Sequence, residues 1–404
     1  MASFLYSKEE MKGKCILYVQ HAGAMGGSVV SLRELVLDAV QQQYRCVVAC
    51  PNQEIADVYR AIGAEAFVTP IMGFNHNTAL FYKATVLDIL RFIKMLLMTR
   101  ISFWKMRKIV KAVRPDIVHL NSSVLILYAL FFRRFSIPVI YHVRENVVQG
   151  YFGWRKSFIR KAANKWAAAI IYISEYEFEL LGTDLGKSTV IYNYVHEHAF
   201  QQDAEADNRP VADQQFKIVI LGGLFNLKGG KTILESLMRA PSEVELLVLG
   251  GVDPREKGAE LSALESKTYF AEIVALLNRP EVGDRVKFYG RVSNPAKYIS
   301  RANALLFWAA APHFPRPVFE AWLLEKPVLY YNPLFKNPII NERNVSVVQE
   351  NTPDALAKCI QALPGSSFTS AETIAANYAV AKANFTEQNF LKIDAIYRQH
   401  LSPE

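Results

Sequence analysis

Cysteine is scarce in this chain, with four in 404 residues at positions 15, 46, 50 and 359. They form no Cys-x-x-Cys pair and have no paired-histidine spacing, which argues against a zinc site and a disulfide framework. They read as buried thiols of a reducing compartment. Long apolar runs are missing too. The longest candidate, 117–132, holds His119, Asn121 and two serines and is too short to span a bilayer. Lys8 to Lys14 is charged, and no apolar stretch follows a basic start, so a signal peptide is not expected. Neither Gly-x-Gly-x-x-Gly nor Gly-x4-Gly-Lys-Ser/Thr occurs at the strand–helix turns described below, so neither a dinucleotide fingerprint nor a P-loop is read there.

What is present is ample core material: 51% hydrophobic residues and 12% aromatics. A chain of this length predicts two domains of about 200 residues each. Charge is unevenly spread. Residues 1–200 hold 24 Lys+Arg against 15 Asp+Glu, and residues 201–404 hold 22 against 23, making net charges of +9 and −1. A basic first half and a neutral second half imply different partners, the first half meeting an anionic surface or acceptor. Residues 80–114 sharpen this. They carry nine Lys/Arg and one acid, Asp88, interleaved with Phe81, Leu87, Leu90, Leu97, Ile101, Phe103, Trp104 and other apolar residues. The stretch reads either as two ordinary helices covering a sheet or as a membrane-surface segment. The basic residues alternate with aliphatics rather than framing an aromatic platform, so nucleic acid is not an expected partner.

The apolar pattern alternates strand and helix, which predicts a parallel, doubly wound α/β sheet. A first strand at 14–19 runs into Gly26-Gly27-Ser28 and a helix over 29–43. Strands are expected at 45–49, 66–69, 116–121, 139–143, 168–174 and 190–193. In open parallel sheets ligands bind beyond the carboxyl ends of the strands. His119, Asn121, His142, Arg144 and Glu145 fall there, beside Gly26 and Gly27, and form the candidate acceptor site. The polar, acidic 196–210 reads as an interdomain linker.

At Lys217 the pattern restarts. A strand to Leu221 leads to Gly222-Gly223, Lys228-Gly229-Gly230-Lys231 and a helix over 232–239, a phosphate site in physical terms. Strands follow at 245–249, 285–289, 304–307, 328–331 and 345–348, and helices over 371–401 close the chain. Between 312 and 331 the order is loop, helix, strand. Pro317 suits a first helical position. Arg316 then stands at a helix entrance, where free N–H groups and the helix dipole favour an anion. Glu320 in the first turn could accept from ribose hydroxyls, or could simply suit the dipole.

These pieces, in this order, resemble retaining glycosyltransferases of the GT-B fold, family 4. The resemblance rests on Gly26-Gly27-Ser28, the strand ending at Ser174, Val190-Ile-Tyr-Asn193, Gly222 with Lys228-Gly229, Val286-Lys-Phe-Tyr-Gly290, and Phe314-Pro-Arg-Pro-Val-Phe-Glu320-Ala with Lys326-Pro-Val. It implies two Rossmann-like domains facing across a cleft: acceptor-binding residues 1–200, donor-binding 201–380, and a terminal helix, 381–404, packing back on the first. It implies a nucleotide-sugar donor, a carbohydrate or lipid-linked acceptor, and neither metal nor cofactor. His142, Lys228 and Glu320 would carry the reaction. Lys228 would hold the diphosphate and Glu320 the ribose, while His142 would lie near the reacting sugar. Gly222, Gly223, Arg291, Val292, Phe314, Arg316, Pro317 and Val318 would complete the donor site. Two positions depart from the family pattern. Pro312 stands where a first glutamate pairs with Glu320, and Gly223 stands where an arginine pairs with the lysine. A GT-B binding or scaffold protein without turnover is therefore the alternative reading.

Overall fold

In both sheets the first strand in sequence lies inside the sheet, so the chain winds outward from it in two directions. The computed structural model describes residues 13–76, 83, 85–205, 215–256 and 265–401. The first sheet contains β1 (Cys15–Val19), β2 (Arg45–Cys50), β3 (Glu65–Val68), β4 (Ile117–Leu120), β5 (Val139–Val143), β6 (Ala169–Tyr172) and β7 (Ser188–Val190). They lie in the order β3-β2-β1-β4-β5-β6-β7, every pair parallel. The second contains β8 (Phe216–Leu221), β9 (Val244–Leu249), β10 (Val286–Phe288), β11 (Ala304–Trp308), β12 (Val328–Tyr331) and β13 (Ser346–Val347), in the order β10-β9-β8-β11-β12-β13, again all parallel. Each is a doubly wound sheet with its switch point beside its first strand, β1/β4 in one and β8/β11 in the other.

Helices cover both faces of the first sheet, which is why β1, β4, β5 and β6 are buried along their whole length. Alternate residues serve opposite faces. Leu17, Val47, Val118 and Tyr141 pack with Met95, Met106, Ile109 and Ile159. Ile16, Tyr18, Val48 and Ile140 pack with Val29, Leu32, Leu35 and, from the last helix, Phe390, Ile393 and Tyr397. Contacts divide the chain into Met1–Tyr194 with Glu387–Glu404, and Val195–Thr386. The terminal helix Gln388–His400 thus belongs to the first unit.

Two expectations are corrected. The basic stretch holds one helix, Val86–Val113, rather than two. It has no glycine or proline to break it. Thr85 caps its start and Arg114, at φ +48°, ends it. Phe81 lies outside the described residues. The expected linker 196–210 contains a helix, Glu197–Glu205. Asp203 and Glu205 are exposed, while Ala204 and Glu197 are buried, Glu197 accepting from Tyr378 Oη and from Lys382 Nζ, and Asn294 Nδ2 donates to the Asp203 carbonyl at 3.0 Å. Residues 206–210 lie outside the described residues.

Candidate functional site

The two switch points hold most of the residues singled out by sequence. In the first unit Gly26 precedes the helix Gly27–Gln41 in fully extended backbone. A Cβ on Gly26 or Gly27 would meet no protein atom, so the surface above them is open. Asn121, just past β4, donates through Nδ2 to the Ser28 carbonyl at 3.1 Å and fastens this turn to the sheet.

Beyond β5, Arg144 and Glu145 are half-buried and firmly held. Arg144 donates from Nε to Asn121 Oδ1 at 2.6 Å and from Nη1 to Asn193 Oδ1. Glu145 accepts from Ser122 Oγ at 2.8 Å, Ser123 N at 3.0 Å and Ser123 Oγ at 2.8 Å. A guanidinium and a carboxylate, both fixed before any ligand arrives, make a suitable clamp for sugar hydroxyls.

His119 and His142 sit deeper. Successive side chains of a strand alternate, so both point to the face covered by the last helix. Both are buried. His119 Nε2 lies 3.1 Å from His142 Nδ1, and His119 Nδ1 lies 2.8 Å from Tyr397 Oη. Burial, reinforced by the nearby Arg144 charge, holds both imidazoles well below the usual histidine range, so both are neutral. His142 Nε2 is shielded from solvent and has no hydrogen-bond partner among the described residues. The strand end thus presents Arg144 and Glu145 at its surface, with His142 behind them.

In the second unit Gly222 and Gly223 follow β8 at φ +98° and +77°. A Cβ on Gly223 would come within 2.7 Å of the Gly250 carbonyl oxygen. The arginine expected from the family pattern therefore cannot be accommodated here without moving the loop after β9. Lys228 ends a short 3-10 turn, and its Nζ lies 5.5 Å from the centre of the Phe307 ring. No acceptor among the described residues hydrogen-bonds to it. Burial alone lowers its pKa to about 8. An ammonium so placed is a ready partner for a diphosphate.

The helix after β11 runs Arg316–Leu323, so Arg316 rather than Pro317 is its first residue. The expectation of free N–H groups at its entrance is also corrected. Arg316 N donates to Phe314 O at 3.0 Å, Val318 N donates to Pro315 O at 2.9 Å, and Pro317 has no N–H. A phosphate at this entrance would have to be held by side chains instead. Arg316 Nε donates to Glu320 Oε1 at 2.7 Å, and Glu320 is buried. Phe314 and Val318 bury their side chains, Phe314 among Phe319, Phe335 and Phe385, and can offer a ligand only backbone. Arg291 is exposed, with Val292 half-buried, just past β10, and the Gly290 carbonyl ties this turn to Gly250 N at 2.6 Å.

Some members of these clusters escaped sequence reading. Ser122, Ser123 and Asn193 hold the Arg144–Glu145 pair, and only Asn193 lay within a motif. His313 stacks on Phe307 at an interplanar angle of 5°, and the surrounding protein and the Lys228 charge lower its pKa. Among the described residues no group of three or more His, Cys, Asp or Glu could hold a metal.

Comparison with known proteins places both units. Residues 25–198 match Glycosyltransferase Family 4, and residues 201–376 match Glycosyl transferases group 1. An uncharacterized glycosyltransferase of Methanocaldococcus jannaschii is 22% identical over 249 residues. That match covers 56% of this chain and 58% of the relative, so the chain spans little more than half the relative's length. Among solved structures, Anabaena HepE in complex with UDP and glucose has a TM-score of 0.73 at 17% identity, covering 96% of this chain and all of that one. HepE with UDP-glucose has a TM-score of 0.72 at 17% identity, covering 95% and 99%. Sucrose-phosphate synthase of Thermosynechococcus elongatus has a TM-score of 0.70 at 18% identity, covering 96% and 98%. With these folds superposing over nearly the whole chain and the two family matches together spanning most of it, the chain belongs to the GT-B glycosyltransferases of family 4 and group 1.

Proposed function

We propose that the protein transfers a sugar from a nucleotide-sugar to a carbohydrate or lipid-linked acceptor, with retention of anomeric configuration and without a metal. The observation that carries this reading is Lys228, a half-buried ammonium held beside a glycine turn with no acceptor among the described residues. It would neutralise charge on the leaving diphosphate, which is where charge builds in the transition state. Glu320 would take the ribose, Arg291 and Val292 the nucleobase, and Arg144 and Glu145 the acceptor. The leaving phosphate would help deprotonate the acceptor on the same face. Structural neighbours bound to UDP and UDP-glucose support a uridine nucleotide as the first donor to test.

The basic helix Val86–Val113 supports work at an anionic inner membrane face, in cell-surface polysaccharide or glycolipid synthesis. Its buried stripe is Met95, Thr99, Ser102, Met106, Ile109, Val110 and Val113. Val86, Leu90, Leu97, Ile101 and Trp104 are exposed, and on 3.6-residue turns they fall on the opposite side, with Lys94, Arg100 and Lys108 among them. Among the described residues no helix is long and apolar enough to cross a membrane.

A thermal-shift screen of UDP, GDP, ADP and their sugar conjugates tests the donor site. A ligand at about 100 times its Kd stabilises by about 2.7 kcal/mol. A selective shift that Lys228→Ala removes supports the reading, and no shift with any nucleotide rejects it. Pro312 and Gly223 favour a second reading, a nucleotide-binding protein without turnover. A selective shift with no transfer and no donor hydrolysis would select it.

A further inference from the structure

The loop leaving the Arg144–Glu145 clamp ends, seven residues after Glu145, in a protruding aromatic tip. Gly150, Phe152 and Gly153 all have positive φ, at +73°, +51° and +71°. For glycine this is inexpensive, but a bulky residue rarely adopts it. The turn is pinned from within by Gly153 N donating to Gly150 O at 3.2 Å and by Lys156 N donating to Gln149 O at 3.2 Å. Its result is that the Phe152 side chain is fully exposed. Trp154 opens the following helix, Trp154–Trp166, and is 51% exposed. One turn on, Phe158 is also exposed. Holding large aromatic surface in water by an unfavourable backbone conformation gains the isolated unit nothing.

The surroundings identify what would cover it. Trp154, Phe158, Lys161 and Lys165 fall at i, i+4, i+7 and i+11 of one helix face, aromatic at one end and basic at the other. This helix contains five Lys/Arg and no acid. It also adjoins the long basic helix. Phe74 is buried with Phe158 edge-on at 6.1 Å and Phe92 edge-on at 6.2 Å, so the two helices meet at that ring. Aromatics in front of a field of cations match an anionic bilayer, with rings at the acyl boundary and cations at the headgroups.

We propose that the Phe152–Trp154 tip inserts into an anionic membrane as a second anchor beside the helix Val86–Val113. Because the other end of its loop carries the clamp, docking places Arg144 and Glu145 at the headgroup layer. Resting on the glycosyltransferase reading, this narrows the acceptor to the lipid-linked class.

The test attaches an environment-sensitive NBD label to Phe152→Cys in a Cys359→Ser background. Cys15, Cys46 and Cys50 are buried and should stay unlabelled. Vesicles of phosphatidylcholine with 30% phosphatidylglycerol should shift the emission to the blue and raise it severalfold. Phe152→Ser/Trp154→Ser should weaken partitioning onto the same vesicles by about tenfold or more, given the apolar area removed. Unchanged emission on vesicle-bound protein, or equal partitioning of the double variant, overturns the proposal. So does self-association of the wild-type protein that the double variant loses, which would assign the tip to a second copy. The donor reading is scored separately, by the nucleotide thermal shift of the same proteins without vesicles.

Discussion

Tyr397 Oη lies 2.8 Å from His119 Nδ1, a buried hydrogen bond across 278 positions of sequence. It ties the terminal helix to the inside of the first sheet and continues from His119 Nε2 to His142 Nδ1. A tyrosine donating to Nδ1 puts the His119 proton on Nε2, from where it donates to His142 Nδ1. His142 then carries its own proton on Nε2. Histidine 15N shifts should show the Nε2–H tautomer at both rings, and an Nδ1–H signal at His142 would reverse the chain's direction. Tyr397→Phe leaves His119 Nδ1 buried without a partner. It should lower stability by about 1–3 kcal/mol in denaturant unfolding.

That bond also marks where sequence legibility ends. The strands were readable because each is an apolar run with both faces covered, and the turns after β1 and β8 were readable from their glycines. The terminal helix was visible as a helix, but Tyr397 carries no signal that it meets His119. Sequence likewise set His142 beside Arg144 at a strand end. The end of the strand separates their surroundings: His142 lies within β5 under a helix, while Arg144 lies just past Val143, where the strand has ended. The helix entrance at Arg316 misled for another reason. A helix N-terminus exposes N–H groups in general, but the local turn at Phe314 and Pro315 consumes these ones. The linker reading missed a helix because six of the nine residues 197–205 are polar or charged, a composition that suits a linker and a short helix alike.

Glu177 should make stability depend on pH. It is buried and accepts from Ser174 Oγ. Burial above all, with Glu145 and Glu175 adding repulsion, raises its pKa to about 7. A folded-state pKa above the unfolded value means the stabilising contribution is full below about pH 4.5 and is lost as pH rises through 7. Glu177→Gln should therefore raise unfolding free energy at pH 8 by up to about 3 kcal/mol, with the gain fading below pH 4.5. The same gain at pH 4 and pH 8 would show that charge is not its cause.

Gly229 should tolerate no side chain, in contrast to Gly27. Gly229 has φ +67°, and a Cβ there would land on the indole of Trp308 at Nε1. Trp308 cannot easily yield, because it is buried and stacked on Tyr331 at 4.2 Å. Gly229→Ala combines backbone strain with overpacking and should cost about 2–4 kcal/mol. It should also displace Lys228 and abolish nucleotide binding. Gly27→Ala adds a methyl in open space at a helix start and should leave stability within about 0.5 kcal/mol. Thermal unfolding of the pair measures the contrast.

Lys228 should trade stability for binding. Its folded pKa, about 8, lies below the unfolded value, so the protein bears the cost of a buried ammonium below pH 8 and is relieved of it as pH rises from 8 towards 10.5. Lys228→Met keeps the stem that packs beside Gly222 and removes the charge. At pH 7 it should stabilise the free protein by about 1–2 kcal/mol, discounted for the partial exposure of the side chain. A bound diphosphate favours the ammonium and raises its pKa, so binding above pH 8 must take up a proton. In the wild type, nucleoside diphosphate affinity should fall as pH rises from 8 to 10, by up to about tenfold per unit, since one proton is linked to each binding event. Titration calorimetry in buffers of different ionisation enthalpy should register that uptake at pH 8.5. In Lys228→Met the uptake and the slope should both vanish. A methionine variant less stable than wild type at pH 7, with the pH slope intact, would remove Lys228 from the diphosphate site.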